Sequence, residues 1–173
     1  MTSTMNLQAL NTLDAAAFVQ VLGGIFEHSP WVAERVVHQR PFNSTQALHA
    51  AMVIAIEVEG SEAQLKLIRA HPELAGKAAV RGDLTVESSR EQSGAGLDRC
   101  TPQEFAELQS LNSRYNQKFG FPFIVAVRGH TRHSIIALMA QRLDNHAQAE
   151  QGECLQQIYQ IGQFRLEDLL SKN

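Results

Sequence analysis

The stretch FGFPFIVAV, residues 119–127, decides the fold class, because its composition is typical of a buried β-strand. It is apolar and contains β-branched residues, which strands favour. A strand needs a neighbouring strand to satisfy its backbone hydrogen bonds, and the chain offers no second segment of this kind. We therefore predict that residues 119–127 form an extended segment lining a cavity. The fold class predicted for the whole chain is all-α.

Helix start and stop signals lie on both sides of this segment. Thr101-Pro102-Gln103-Glu104 combines an N-cap residue, a first-turn proline and a capping-box glutamate, and Gly120 suits the end of the same helix. Thr131 is predicted to cap the next helix, which runs to Leu143. A final helix is predicted over roughly 149–171.

Apolar residues at helical spacing continue through the amino-terminal half. They predict a helix within 13–26, a second opened by Ser29 as N-cap with Pro30, and a third capped by Ser44. A fourth helix must end before Pro72, since the ring disfavours helical geometry at the preceding residue.

Thr85 or Val86 begins a further helix, which Gly94-Ala95-Gly96 interrupts. In total the signals predict about eight helices, packed as a compact array in a single domain, residues 1–173.

The bulk composition excludes several classes of protein. The chain has 173 residues, 44% hydrophobic and 19% charged, with a formal net charge of −3, so we expect no nucleic-acid partner. No apolar run approaches the roughly 20 residues of a membrane span, so we expect no membrane partner. Two cysteines and no signal-peptide pattern at MTSTMNLQAL favour a cytoplasmic protein, and the end at SKN resembles a peroxisomal SKL signal but is not one.

Several short motifs are candidate sites. Gly76-Lys77 does not complete a phosphate loop, because position 71 is His and position 78 is Ala. His130 and His133 form either a polar helix entry or an anion site. Cys100 and Cys154 are predicted to be partly buried neutral thiols.

His71 has two interpretations. It is either a histidine at a helix end or a general acid/base on a turn that proline stiffens. Ser88 and Gln92 share a helix face with Glu91 beside them, forming either a solvated helix end or a polar ligand patch. Arg165 is either paired with Asp168 or Glu167 at the surface or a carboxylate clamp.

Three segments in order resemble one known family: HPELAGKAA (71–79), the Ser-x-x-Glu-Gln of Ser88–Gln92 followed by GAGL, and LNSRYNQKFGFPFIVAVRG (111–129). FRLEDLL (164–170) matches as well. The chain resembles the 2-oxo-4-hydroxy-4-carboxy-5-ureidoimidazoline (OHCU) decarboxylases, the enzymes of urate breakdown that make (S)-allantoin. This resemblance implies an all-helical homodimer that decarboxylates OHCU without metal or organic cofactor.

The resemblance also implies a set of site residues. The family's catalytic residues fall on His71, Glu91 and Arg165, with His71 as general acid/base. Arg165 would either meet the substrate carboxylate or orient Glu91. The implied substrate contacts are Pro72, Ser88, Gln92, Phe123, Ile124 and Val127.

Two alternatives of other classes remain open. One is a metal-assisted hydrolase of a cyclic ureide that uses His71 with His130 or His133. The other is a non-enzymatic helical binding module whose partner surface is FPFIVAV, residues 121–127.

Overall fold

The computed structural model describes residues 5–170, and within that range the regular structure is entirely helical. The all-α prediction is confirmed, and residues 121–128 carry no strand pairing. The sequence signals missed only the short helices α1 and α6. The predicted end of the last helix at 171, the amino-terminal MTST and the terminal SKN lie outside the described residues. The ten α-helices are α1 (Leu7–Thr12), α2 (Ala15–Leu22), α3 (Trp31–Val36), α4 (Thr45–Glu59), α5 (Ser61–Ala70), α6 (Lys77–Arg81), α7 (Val86–Gly94), α8 (Pro102–Phe119), α9 (Arg132–Arg142) and α10 (Ala147–Leu170).

The described chain divides into two compact units. The first takes in residues 5–67 and 159–170, and the second is Ile68–Ile158. Short 3-10 turns follow α3 at Val37–Gln39 and α7 at Leu97–Arg99. Across residues 5–170, we find no helix with both the length and the apolar character of a membrane span.

Local capping explains most helix starts in the first unit. The Ser44 hydroxyl accepts a hydrogen bond from the Ala47 N–H at 3.0 Å, so the predicted cap of α4 is confirmed. The prediction for Ser29 is wrong. Pro30 occupies the cap position of α3, and the Ser29 hydroxyl donates to the Glu27 carbonyl at 2.8 Å. The serine stabilises the preceding turn instead of the helix.

Close packing in the first unit depends on one glycine of α10. A Cβ atom on Gly162 would lie 2.8 Å from two ring carbons of Phe26, well inside van der Waals contact. Phe26 is fully buried, so its ring has little room to move. His49 contacts the carbonyl of Tyr159, on the same helix as Gly162, at 2.7 Å. Because a side chain at position 162 would collide with the Phe26 ring, only glycine allows α10 to approach Phe26 this closely.

The second unit is organised by α8, whose ends match the predicted signals. Thr101 and Glu104 form a complete capping box, and Gly120 ends the helix in the left-handed conformation at φ 76°. The buried stripe of α8 carries Tyr115, whose ring contacts three phenylalanines of the following chain. These rings are Phe119, Phe121 and Phe123, with centroids 4.6, 6.0 and 5.4 Å away.

We predict that Glu104 makes stability depend on pH in the acid range. The Thr101 N–H donates to its carboxylate at 2.9 Å and Arg132 lies 2.8 Å away. The backbone bond from Thr101, followed by Arg132, lowers the pKa of Glu104 from 4.5 to about 2. A carboxyl with a depressed folded-state pKa contributes stability above its unfolded pKa, and that contribution is lost between about pH 4.5 and about pH 2.

Glu104→Gln keeps the side-chain shape but cannot ionise. Urea unfolding of this variant should therefore show a shallower fall in stability over that pH interval than the wild type. Glu107→Gln, an exposed position on the same helix, is the matched control. Identical pH profiles for Glu104→Gln and the wild type would contradict the assignment.

Candidate active site

The loop after α5, residues 71–76, holds His71 in a buried position. The helix ends at Ala70, as Pro72 predicts, and the His71 N–H donates to the Ile68 carbonyl at 3.2 Å. His71 is only 7% exposed, so its ring is not a solvated group on a helix end. The helix-end interpretation therefore describes the backbone of His71, and burial makes the side chain a candidate for chemistry.

The α7 helix contributes a buried polar face, as the sequence predicts. Ser88 and Gln92 are its two buried residues, and Glu91 between them is partly exposed. Thr85 caps this helix by accepting from the Ser88 N–H at 3.2 Å. The Gln92 side chain accepts from the Ala75 N–H at 2.9 Å, which joins α7 to the loop after His71.

The same loop is held from the other side by α8. Gln109 donates to the Ala75 carbonyl at 2.7 Å, and Asn112 donates to the Leu74 carbonyl at 2.9 Å. Ala75 has φ 50°, a left-handed conformation that is uncommon for a residue with a Cβ. The Ala75 N–H donates to Gln92 and the Ala75 C=O accepts from Gln109, and these two bonds keep the left-handed conformation in place.

A cavity of about 520 Å³ adjoins this loop at Ala75. Its wall includes Ala75 and Gln92 but neither His71 nor Glu91. Burial, with the carboxylates of Glu104 and Asp98, raises the pKa of the Cys100 thiol in this wall, in line with the predicted neutral thiol. The lining residues are Ala75, Ala79, Val80, Leu84, Ser89, Gln92, Ser93, Leu97, Asp98, Cys100, Pro102 and Phe105.

The extended segment between α8 and α9 is buried throughout residues 123–127, which include the predicted contacts Phe123, Ile124 and Val127. The Ile124 carbonyl accepts from Arg142 at 2.7 Å, and the Ala126 N–H donates to Gln157 at 2.9 Å. Hydrogen bonds between described residues reach neither the N–H nor the C=O of Val125. Its buried backbone is thus suited to bind a polar ligand.

A buried ion pair supports this segment. Arg142 lies 2.7 Å from Glu150, which also accepts from the Tyr115 hydroxyl at 2.6 Å and from Asn145 at 3.0 Å. Burial is the largest single effect on Arg142 and acts to lower its pKa, but Glu150, Cys154 and Tyr115 together raise it, so the net shift is upward. The guanidinium also lies over the Phe123 ring, 4.3 Å from its centroid. The charge of Arg142 therefore fixes both ring and backbone of the segment.

Arg165 belongs to the first unit and is buried there. Its guanidinium lies 3.2 Å from the Glu27 carboxylate and donates to the Gly24 carbonyl at 3.1 Å. The other candidate residues all belong to the second unit. The roles assigned to Arg165, at the substrate carboxylate or at Glu91, stay predictions.

The paired histidines at the start of α9 contact neighbouring polar groups, and the two interpretations given for them stay predictions. His130 contacts the Ser134 hydroxyl at 3.0 Å, and His133 lies 3.0 Å from the Glu104 carboxylate. No three His, Cys, Asp or Glu side chains within residues 5–170 are grouped so that they could hold a metal ion.

Sequence reasoning missed the residues that support the site. Nothing in the residues around Glu27 predicts its role, but the positions of Asn112 and Arg142 in the helical pattern do predict one. Each is a polar residue on the buried stripe of its helix, where an unpaired polar group is costly and a specific partner is expected. The additional residues of the second unit are Gln109, Asn112, Arg142 and Glu150, and Glu27 supports Arg165 within the first unit.

The fold and this site define an all-α protein with a buried histidine loop, a polar helix face and an extended segment. A family model described as OHCU decarboxylase matches residues 11–167. The chain belongs to the OHCU decarboxylase family, as its sequence motifs predict.

Individual relatives agree with this assignment. A 2-oxo-4-hydroxy-4-carboxy-5-ureidoimidazoline decarboxylase of Haloferax volcanii is 40% identical over 167 residues, covering 96% of this chain and 97% of the relative. A uric acid degradation bifunctional protein of Bacillus sp. (strain TB-90) is 41% identical over 165 residues. That alignment covers 95% of this chain, which spans about a third (32%) of the Bacillus protein. A solved (S)-allantoin synthase superimposes with a TM-score of 0.78 at 28% identity, covering 96% of this chain and 54% of that one.

We predict that Arg142→Met lowers the free energy of unfolding by about 3–5 kcal/mol, because it leaves the buried Glu150 carboxylate without its counter-charge. Adding Glu150→Gln should recover part of this loss. Urea denaturation is the measurement. Arg35→Met, which breaks an exposed 2.9 Å pair with Glu59, is the control and should cost less than about 1 kcal/mol. Equal losses for both arginines would contradict the role given to Arg142.

Proposed function

We propose that this protein decarboxylates OHCU to (S)-allantoin in urate degradation. The observation that carries the proposal is the buried His71 loop in a chain that belongs to the OHCU decarboxylase family. The names of the Haloferax and Bacillus relatives, a decarboxylase of this substrate and a uric acid degradation protein, support it. The comparisons give no support to a metal-assisted hydrolase or to a binding module.

The substrate can supply its own electron sink. One ring carbon of OHCU bears both a hydroxyl and a carboxylate, and the neighbouring ring carbon is an imine that carries the ureido group. When the bond to the carboxylate breaks, its electron pair forms a C=C bond to the neighbouring carbon, the imine nitrogen takes up a proton, and CO2 leaves. The hydroxyl carbon then becomes a carbonyl as its oxygen loses a proton, and the neighbouring carbon gains one. We therefore propose that no metal or organic cofactor takes part.

His71 is the general acid/base in this scheme. Its imidazole would accept the hydroxyl proton and return a proton to the new C–H position, because histidine exchanges protons readily near neutral pH. The buried position of His71 would keep water away from the leaving carboxylate. Pro72 limits the backbone freedom of the loop, which holds the ring in place.

Substrate orientation comes from α7 and the extended segment. Glu91 and the Ser88–Gln92 face would bind the ureido and ring N–H groups. The backbone of residues 123–127 would offer donors and acceptors to a flat, urea-like ring. Its Ile124 and Val127 carbonyls already accept from Arg142 and from the His130 N–H, so Phe123 and Val125 are the expected contacts. A ring held from one side would receive its proton on one face, as a chiral product requires.

Arg165 has two possible roles, at the substrate carboxylate or as a support for Glu91. A carboxylate contact would appear as a raised KM in Arg165→Lys, because lysine keeps the charge but not the bidentate geometry.

We further propose a homodimer in the cytoplasm, in keeping with the family resemblance and the two free cysteines. Light scattering of the purified protein tests the dimer.

We expect His71→Asn to abolish turnover while the far-ultraviolet circular dichroism stays helical. Asparagine keeps a polar side chain but cannot exchange a proton near neutral pH. The assay uses freshly generated OHCU and follows CO2 release together with the optical rotation of the allantoin formed. His38→Asn, at an exposed position, is the control. Near-normal activity of His71→Asn would overturn the assignment.

The absence of a metal cofactor has its own test. Dialysis of the wild type against a chelator should leave activity unchanged.

Glu91→Gln should lose most of kcat, because the amide keeps the shape of the side chain but carries no charge. Glu87→Gln, one turn earlier on α7, serves as the matched control. The same assay applies, at saturating substrate. An unchanged kcat would mean that Glu91 is only a solvated residue of the helix.

A further inference from the structure

One face of α8 carries three amide side chains that are not part of the proposed chemistry. Gln109, Asn112 and Asn116 are spaced three and four residues apart, so they lie along the same side of the helix. We call these three residues the amide ladder. Each of them donates a hydrogen bond to a successive residue of the loop after His71.

The order of these bonds shows how the loop lies on the helix. Asn116 donates to the Glu73 carboxylate at 3.1 Å, while Asn112 and Gln109 donate to the Leu74 and Ala75 carbonyls at 2.9 and 2.7 Å. The loop therefore runs antiparallel to α8, with one contact per residue. The Glu73 side chain helps to fix the register, because a shift by one residue would remove this carboxylate from Asn116.

The loop needs this support because its backbone is both buried and strained. Leu74 and Ala75 are buried, so their carbonyls cannot be satisfied by bulk water. Ala75 holds φ 50°, a conformation that persists only where the surroundings enforce it. The ladder supplies the carbonyl partners, and Gln92 binds the Ala75 N–H at 2.9 Å from the opposite side.

We propose that the amide ladder positions His71 for decarboxylation by fixing the backbone of the loop that carries it. This inference rests on the proposed function. Only Pro72 and Glu73 separate His71 from the Leu74 carbonyl, and the proline ring fixes one of the torsions between them. A displaced Leu74 would therefore displace the imidazole. Gln109 and Asn112 are positioning residues, since they act through the loop and not on the substrate.

A positioning role and a merely structural role both lower the apparent kcat, so they are separated by the folded fraction and by the position of the His71 ring. Misplacing an acid/base group by about 1 Å can cost about 100-fold in rate, with the substrate still bound and the protein fully folded. A loss of general stability would instead lower the folded fraction seen by circular dichroism and leave the His71 signals of the remaining folded enzyme unshifted. The position of the His71 ring can also be observed without turnover, from the nuclear magnetic resonance signals of its imidazole.

The test compares Gln109→Leu and Gln109→Glu, which both remove the donor to Ala75, with Gln117→Leu and Gln117→Glu as controls. Gln117 is exposed on the same helix, so the controls repeat the change in polarity and in charge. Asn112→Leu removes the donor to Leu74. Circular dichroism and thermal melting identify any variant that does not fold. If Asn112→Leu does not fold, the Gln109 variants still provide the test, because Gln109 is only half-buried.

We expect both Gln109 variants to lose at least about tenfold in kcat with KM changed less than about threefold, and the controls to match the wild type. The His71 imidazole signals, assigned with His71→Asn, should shift in the Gln109 variants and not in the controls.

Wild-type kcat and unshifted His71 signals in the folded Gln109 variants would overturn the proposal. If the wild type itself does not act on OHCU, the proposed function fails. The His71 signals then decide separately whether the ladder positions the ring.

Discussion

Buried backbone that belongs to no helix must find hydrogen-bond partners among side chains, and this constraint governs the second unit. A sheet would satisfy such backbone from a neighbouring strand, but residues 5–170 contain none. The loop after His71 is served by Gln92 from α7 and by Gln109 and Asn112 from α8. The extended segment is served by Arg142 and Gln157. Polar residues on helix faces thus take the place of a second strand.

The loop after His71 and the extended segment have hydrogen-bond partners of different charge, and this difference affects stability. The loop is held by neutral amides, whose desolvation is moderate. The extended segment depends on Arg142, a buried charge that is tolerable only because Glu150 lies 2.7 Å away and Tyr115 completes the network. Such a pair adds little net stability over an apolar core, but it aims a donor at one carbonyl, that of Ile124. Its value lies in specifying the conformation of the segment.

Local rules predicted the helices well wherever the sequence carried a complete signal. The Thr101 capping box and the left-handed Gly120 were confirmed, because both depend on backbone geometry that adjacent residues determine. Ser29 failed as a cap because its hydroxyl has an alternative acceptor, the Glu27 carbonyl. The short helix α6 was missed because five residues give too little periodicity.

The sequence by itself determined the all-α class, most helix boundaries and, through three ordered motifs, the family and the candidate residues around His71. The helix boundaries depend on residues adjacent in the sequence, and the family is recognised from short segments that need no knowledge of the tertiary structure. The tertiary structure decided which polar side chains pair inside each unit: in the second unit Gln109 lies 34 residues from the carbonyl it binds, and in the first unit Arg165 lies 138 residues from Glu27. Such partners are selected by packing, because a buried donor or charge accepts only a group that the fold brings within hydrogen-bond distance.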